Sequence, residues 1–230
     1  MSVKLNYYDN KVVDKPWGHE HVVYRYKKKL CITLLKINFN KSTSLHCHPN
    51  KKSGFVLLDG KARFQLGLWK KRSEIHNSPS KRMIARGLFH SIKSISKSGL
   101  LALEFETPVN KNDLVRFKDN YGRAQKPYEG KKNIKKINSN FLKFKKSFFE
   151  QKKVFKIKNT KLVLETHKNF TKINRSKKDT IFAIIDGSIC DYNGRDIITY
   201  GDIIKTNDMK TLSKVFRIKK KLSLIRINKF

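Results

Sequence analysis

The stretch SLHCHPNKKSGFVLLDG, Ser44 to Gly60, decides how this chain reads. It opens with two histidines one residue apart, His46 and His48, and closes with an apolar run that stops at Asp59-Gly60. Residues two apart on an extended segment share a face, so both imidazoles can address one metal ion. Cys47 points the other way and reads as a small buried hydrophobe. The run from Ser53 has strand composition, and its Asp-Gly end is a strong hairpin signal.

That signal occurs twice. Phe55-Val-Leu-Leu-Asp-Gly60 matches Phe182-Ala-Ile-Ile-Asp-Gly187, an offset of 127 residues (182 less 55). Self-similarity of this kind marks two copies of one β module. Carried back along the chain, the offset sets His46 on Ile173, His48 on Arg175 and Ser53 on Thr180. The second copy keeps the framework and none of the histidines, which assigns the chemistry to the first.

Strand signals dominate elsewhere. LCITLLKINF (30–39), ARFQLGLW (62–69), LLALEFE (100–106), LVLETHKNF (162–170), DTIFAIIDGSI (179–189), DIITYGDIIK (196–205) and LSLIRI (222–227) are short, β-rich and bounded by turn residues. The fold class is therefore all-β, a sandwich or barrel in each half. Between the halves, KPYEGKKNIKKIN (126–138) is lysine-rich and turn-prone, and SNFLKFKKSFFEQK (139–152) carries aromatics near helical spacing. The expected division is 1–128, a linker with a helix over 129–152, and 153–230.

The 230 residues carry 53 Lys+Arg against 18 Asp+Glu, a net charge of +35. Lysines are spread over the whole chain, and no zinc finger, RNP-type aromatic motif or recognition helix accompanies them. Specific nucleic-acid binding is therefore not expected. A diffuse positive field favours small anions such as sugar phosphates or nucleotides. No apolar run is long enough to span a bilayer and the N-terminus has no signal-like apolar core, so the expectation is cytoplasmic and without a membrane. Three scattered cysteines, Cys31, Cys47 and Cys190, suggest no disulfide framework.

A third histidine completes the pattern. RMIARGLFHSI (82–92) reads as a strand, a turn at Gly87, and His90 three residues on. In a small barrel that distant strand can lie beside the first and deliver its imidazole. His19 and His21 form another alternate pair around Glu20 but lack a third ligand. His76 lies in a polar loop, and His167 belongs to the second module.

With His-x-His followed by a strand to Gly60 and then Gly87-Leu-Phe-His90, the chain resembles the cupin superfamily. Its first half resembles the cupin domain of type II mannose-6-phosphate isomerases, often fused to mannose-1-phosphate guanylyltransferase. The resembling residues are Lys15-Pro16-Trp17-Gly18, Ser44-Leu45 and the tail Asp113-Leu-Val-Arg-Phe-Lys-Asp-Asn-Tyr-Gly-Arg123, over about residues 14–128. The departures are His46 where that family has Gln, Ser53 where the motif has Glu, and Ala85 where it has Pro. The resemblance implies two tandem jelly-roll-like barrels, the first metal-binding and the second degenerate. It also implies a divalent metal on His46, His48 and His90, with Zn, Fe, Mn and Ni all compatible.

The acidic ligand missing at Ser53 turns attention to Glu104 and Glu106. They share one strand face, opposite a core-facing set of Leu101, Leu103 and Phe105. Buried carboxylates need lysine partners or a metal. Otherwise water takes the open position. Glu106 and Glu104 are the catalytic candidates, and the anion-binding candidates are Lys52, Arg86, Arg123 and Tyr121, with Lys51 and Arg116 nearby. The expected activity is isomerisation or epimerisation of a sugar phosphate or nucleotide sugar in carbohydrate or surface-polysaccharide biosynthesis. The alternatives are an iron dioxygenase and a non-catalytic sugar-binding cupin. The chain could also form a homodimer.

Overall fold

The computed structural model describes residues 7–69, 73–123, 133–137 and 141–230. They form two compact units, Met1–Lys143 and Phe144–Phe230.

The first unit comprises β1 (Lys11–Lys15), β2 (Gly18–Tyr26), β3 (Leu30–Ile37), β4 (Leu45–Cys47), β5 (Lys52–Asp59) and β6 (Lys61–Leu66). It continues with β7 (Ser73–Asn77), β8 (Ser80–Ile84), β9 (His90–Ser94), β10 (Leu100–Thr107), β11 (Val115–Lys118) and β12 (Ile134–Lys136). Seven strands make one antiparallel sheet, β12-β1-β2-β3-β10-β5-β8, and five make the other, β11-β4-β9-β6-β7. Inward-facing Leu35, Ile37, Phe55, Leu57, Phe64 and Ile92 fill the space between them with Trp17. Burying each such side chain stabilises by roughly 1.5–3 kcal/mol.

The second unit comprises α1 (Lys146–Glu150), β13 (Lys153–Ile157), β14 (Thr160–His167), α2 (Thr171–Asn174), β15 (Ile181–Asp186) and β16 (Ile189–Cys190). Then come β17 (Asp196–Ile198), β18 (Ile203–Lys205), α3 (Thr206–Val215), β19 (Arg217–Ile218) and β20 (Leu222–Lys229). Its sheets run β13-β14-β20-β15-β18 and β17-β16-β19. The strand order β3-β10-β5-β8 is thus repeated as β14-β20-β15-β18.

The repeat extends to the irregularities. In the first unit Leu57 pairs with Ala102 and Asp59 with Leu101, skipping Leu58. In the second, Ile184 pairs with Leu224 and Asp186 with Ser223, skipping Ile185. The bulge falls on the fourth residue of the repeated hexapeptide in both copies. Gly60 (φ +87°) and Gly187 (φ +83°) close both strands where a Cβ would lie 2.3 Å from Gly99 O and 1.9 Å from Lys221 O. Only glycine satisfies both the backbone angle and the approach.

Three expectations change. The long helix over 139–152 shrinks to Lys146–Glu150, with 138–140 outside the described residues. Phe141 instead sets its ring against His21 and Phe144 against Phe155, so tertiary partners claim the aromatics that mimicked helical spacing. The expected linker contributes Ile134–Lys136 as an edge strand on β1, and the units divide at Lys143/Phe144. DIITYGDIIK splits into β17 and β18 because Gly201 (φ +84°) turns the chain and donates to Ile184 O.

The two copies diverge where the histidines were. At the offset of β4 the second unit carries the helix α2, while β9 keeps a strand counterpart in β19, where Arg217 stands at the offset of His90. Ile173, at the offset of His46, is fully buried on α2 and packs in an apolar cluster with Met209 of α3, Phe182 and Leu224.

Candidate metal centre

The HxH alternation and strand pairing assemble the site. His46 on β4 pairs directly with His90 on β9, and His48 follows β4 by one residue. Gly87 (φ +70°) makes the turn that His90 needs, and its N–H donates to His48 O at 2.9 Å. The ring centroids stand 4.5 to 5.5 Å apart, and one nitrogen from each ring lies within 4.8 Å of the others.

Each ring is held from behind. His46 Nδ1 donates to Ser44 O (2.8 Å), His48 Nδ1 to Asp113 O (2.6 Å) and His90 Nδ1 to Leu88 O (3.0 Å). A carbonyl can only accept, so the proton sits on Nδ1 and every Nε2 presents a lone pair. His48 Nε2 and His90 Nε2 are buried without a protein partner. Burial, followed by the Lys51 charge, takes His48 down to about 3. Burial takes His90 down to about 4, and burial and the two neighbouring imidazoles hold His46 well below the usual histidine range. Three neutral, oriented imidazoles, two of them with orphaned Nε2 atoms, fit a divalent transition metal.

The cavity in front of them is roughly 650 Å³ including its mouth. Its walls include Lys15, Lys51, Lys111, Arg116 and Arg123, five cations against the three acids Glu20, Glu104 and Glu106. Glu104 and Glu106 therefore face the barrel interior, and Leu103 and Phe105 are buried on the opposite face of β10. Leu103 and Phe105 are core residues as expected, and the two glutamates take the interior position that the candidate role requires. Both faces of this strand are covered, so alternation alone could not tell which one lined the barrel.

Glu106 is gripped from both sides. Lys51 Nζ contacts its Oε1, and Lys111 Nζ contacts Oε2 at 2.5 Å. Burial pushes Glu106 up, but Lys111 and Lys51 outweigh it and keep the carboxylate well below its ordinary range. Burial, and then the charge on Glu106, raises Glu104 to about 8, so it is a neutral acid at neutral pH. Ser53 pairs with Glu106 across β5 and β10, is buried, and has no partner for its hydroxyl.

The site residues expected from sequence divide. His46, His48 and His90 converge, and Glu104, Glu106 and Arg123 line the same cavity. Lys52 and Arg86 are not among the lining residues. On β5, Ser53 and Phe55 face inward and Lys52 outward, while Arg86 is exposed on the turn. Tyr121 packs against the core cluster, and its hydroxyl accepts from Ser42 N–H at 3.3 Å. Arg123 also pairs with Asp119 at 2.8 Å.

Lys51 and Arg116 had signals beside the HxH pair and within the tail, as did Lys15 in Lys15-Pro-Trp-Gly. Lys111 and Glu20 had none. Glu20 reaches the cavity because its neighbours point away from it: His21 Nε2 lies 3.1 Å from Leu142 O, and both His19 and His21 face Phe141. His76 sits on β7 beside Glu74, 3.0 Å away, instead of in a loop. Cys47 is buried and outside the cavity lining.

Two facing antiparallel sheets with a histidine triad on β4 and β9 settle the architecture. The fold is that of a cupin. No family model matches the chain, and no curated protein matches it. Among solved structures it is similar to the cupin domain of Cnp3 from Schizosaccharomyces pombe, at 12% identity and TM-score 0.37 over 39% of this chain and 64% of that one. KdgF from Halomonas sp. aligns at 12% identity and TM-score 0.36, over 40% of this chain and 82% of KdgF. The capsular polysaccharide assembling protein CapF from Staphylococcus aureus aligns at 11% identity and TM-score 0.42, over 47% and 34% of the two chains. Among the described residues no helix is long and apolar enough to cross a membrane.

Proposed function

We propose that the first barrel is a divalent-metal enzyme that isomerises or epimerises an anionic sugar, a sugar phosphate or nucleotide sugar, in carbohydrate or surface-polysaccharide biosynthesis. One observation carries the reading: three neutral imidazoles, a surplus of cations and a protonated carboxyl share a single cavity. His46, His48 and His90 would hold the ion, and a metal there supplies Lewis-acid polarisation of a carbonyl or hydroxyl oxygen. Glu104 is the proton carrier, since a group near 8 can both give and take a proton close to neutrality. Glu106, committed to two lysines, positions them. Lys15, Arg116 and Arg123 draw in the anionic end of the substrate.

An iron dioxygenase is the second reading, favoured by the donor set itself, because three imidazoles without a carboxylate also suit Fe²⁺. The discriminating experiment is metal analysis of protein purified without chelator, followed by aldose and ketose phosphates in deuterated water. Zinc or manganese together with deuterium incorporation into the sugar supports the isomerase. Iron with O₂ consumption replaces it by the dioxygenase. Sugar binding without exchange or turnover assigns a non-catalytic cupin. If no metal copurifies and none raises the Tm, both enzyme readings fail.

A further inference from the structure

We propose that Lys51 anchors an oxyanion group of the substrate beside the three histidines. The inference rests on the metal-enzyme reading above. It narrows the substrates to molecules that bring a carboxylate or phosphate oxygen to the histidine end of the cavity.

Lys51 is built in, unlike a surface lysine. Its side chain is 3% exposed, and Nζ contacts Glu106 Oε1 and donates to Asn110 O at 3.2 Å. An ammonium has three donors, so one remains for the cavity that Lys51 lines. That cavity is also lined by His46, His48 and His90. The backbone is fixed as well. The Asp113 carboxylate accepts from Lys51 N–H (2.9 Å) and Asn50 N–H (3.0 Å), while Asp113 O accepts from His48 (2.6 Å). One residue therefore sets a histidine ligand and the ammonium in a common frame.

The charge pattern selects the ligand. Ser53 shares the inward face of β5 with Phe55 and pairs with Glu106 across β10, and its small hydroxyl has no partner and adds no negative charge. The nearest carboxylate across the strand, Glu106, is neutralised by two lysines, leaving that trio at net +1. A divalent ion beside an ammonium is a like-charge arrangement, and an anion reaching both relieves it.

The test uses wild type, Lys51→Met and Ser53→Glu, each given Zn²⁺ or Co²⁺, with metal affinity measured first by chelator competition. Glycolate and inorganic phosphate are then titrated by calorimetry and by Co²⁺ absorption, and the preferred one tells a carboxylate from a phosphate. Lys51→Met should weaken the anion about ten- to hundredfold while holding the metal at least as tightly. Ser53→Glu should tighten the metal and abolish the anion response. Wild-type anion affinity in metal-loaded Lys51→Met overturns the proposal, and so does an undiminished anion response in Ser53→Glu. A wild type that holds neither ion sinks the metal reading itself, and this inference with it.

Discussion

His46 and His90 face each other across β4 and β9 as direct strand partners, with ring centroids 4.5 Å apart. Two neutral imidazoles so placed gain little from each other and much from a shared cation. His90→Ala should reduce metal affinity by more than about a hundredfold, beyond the 10–100-fold that groups behind the ligands carry. Chelator competition reads it. An unchanged affinity would mean that the three rings do not form one site.

Glu106 is the counter-charge for two buried ammonium groups. Glu106→Gln leaves Lys51 and Lys111 uncompensated and should destabilise the first barrel by about 3–5 kcal/mol. Urea unfolding measures the loss, and partial recovery on the further change Lys111→Met, which leaves only Lys51 uncompensated, would tie it to the broken pair.

His21 makes acid destabilising. Burial lowers it to about 4, whereas in the unfolded chain it takes a proton near 6.5. Between those values the unfolded state binds more protons, so stability falls as pH drops from about 6.5 toward 4. The span corresponds to something on the order of 3 kcal/mol. His21→Gln, which keeps a donor for Leu142 O, should show a smaller loss than wild type when unfolding is compared at pH 7 and pH 4.

Glu104 acts with the opposite sign. Its folded value near 8 lies above the ordinary 4.5, so the native state holds the extra proton and stability declines as pH rises through 8. Metal-free Glu104→Gln should be flatter than metal-free wild type between pH 6 and 9 in the same assay. A parallel curve would show that Glu104 is already ionised at neutral pH.

Gly187→Ala should destabilise the second unit, as Gly60→Ala should the first. Each adds a Cβ at positive φ within 2.3 Å of a backbone oxygen, a strain on the order of 1–3 kcal/mol or more. Thermal unfolding checks both.

The repeat was legible because its information is local. Alternating apolar residues make a strand, and Asp-Gly ends it at a positive φ, whatever surrounds it. Even the bulge sits at the same place in both copies of the hexapeptide. The histidine pair was legible for the same reason, through period-two alternation, and His90 through its spacing from Gly87.

Which lysine enters the cavity was not local. Lys51 and Lys52 are equivalent in composition. Only the pairing of β5 with β10, which sets Ser53 opposite Glu106 and turns Lys52 outward, tells them apart. Lys111 has no sequence signal at all, because a lysine is buried only when a carboxylate from a distant strand meets it. The aromatics of 139–152 obeyed helical spacing and still gave way to tertiary partners. The sequence by itself therefore determined the β modules, their duplication and the three metal-ligand candidates. Tertiary structure alone decided the charge around them, since burial and opposing partners set the state of Glu104, Glu106 and the three histidines.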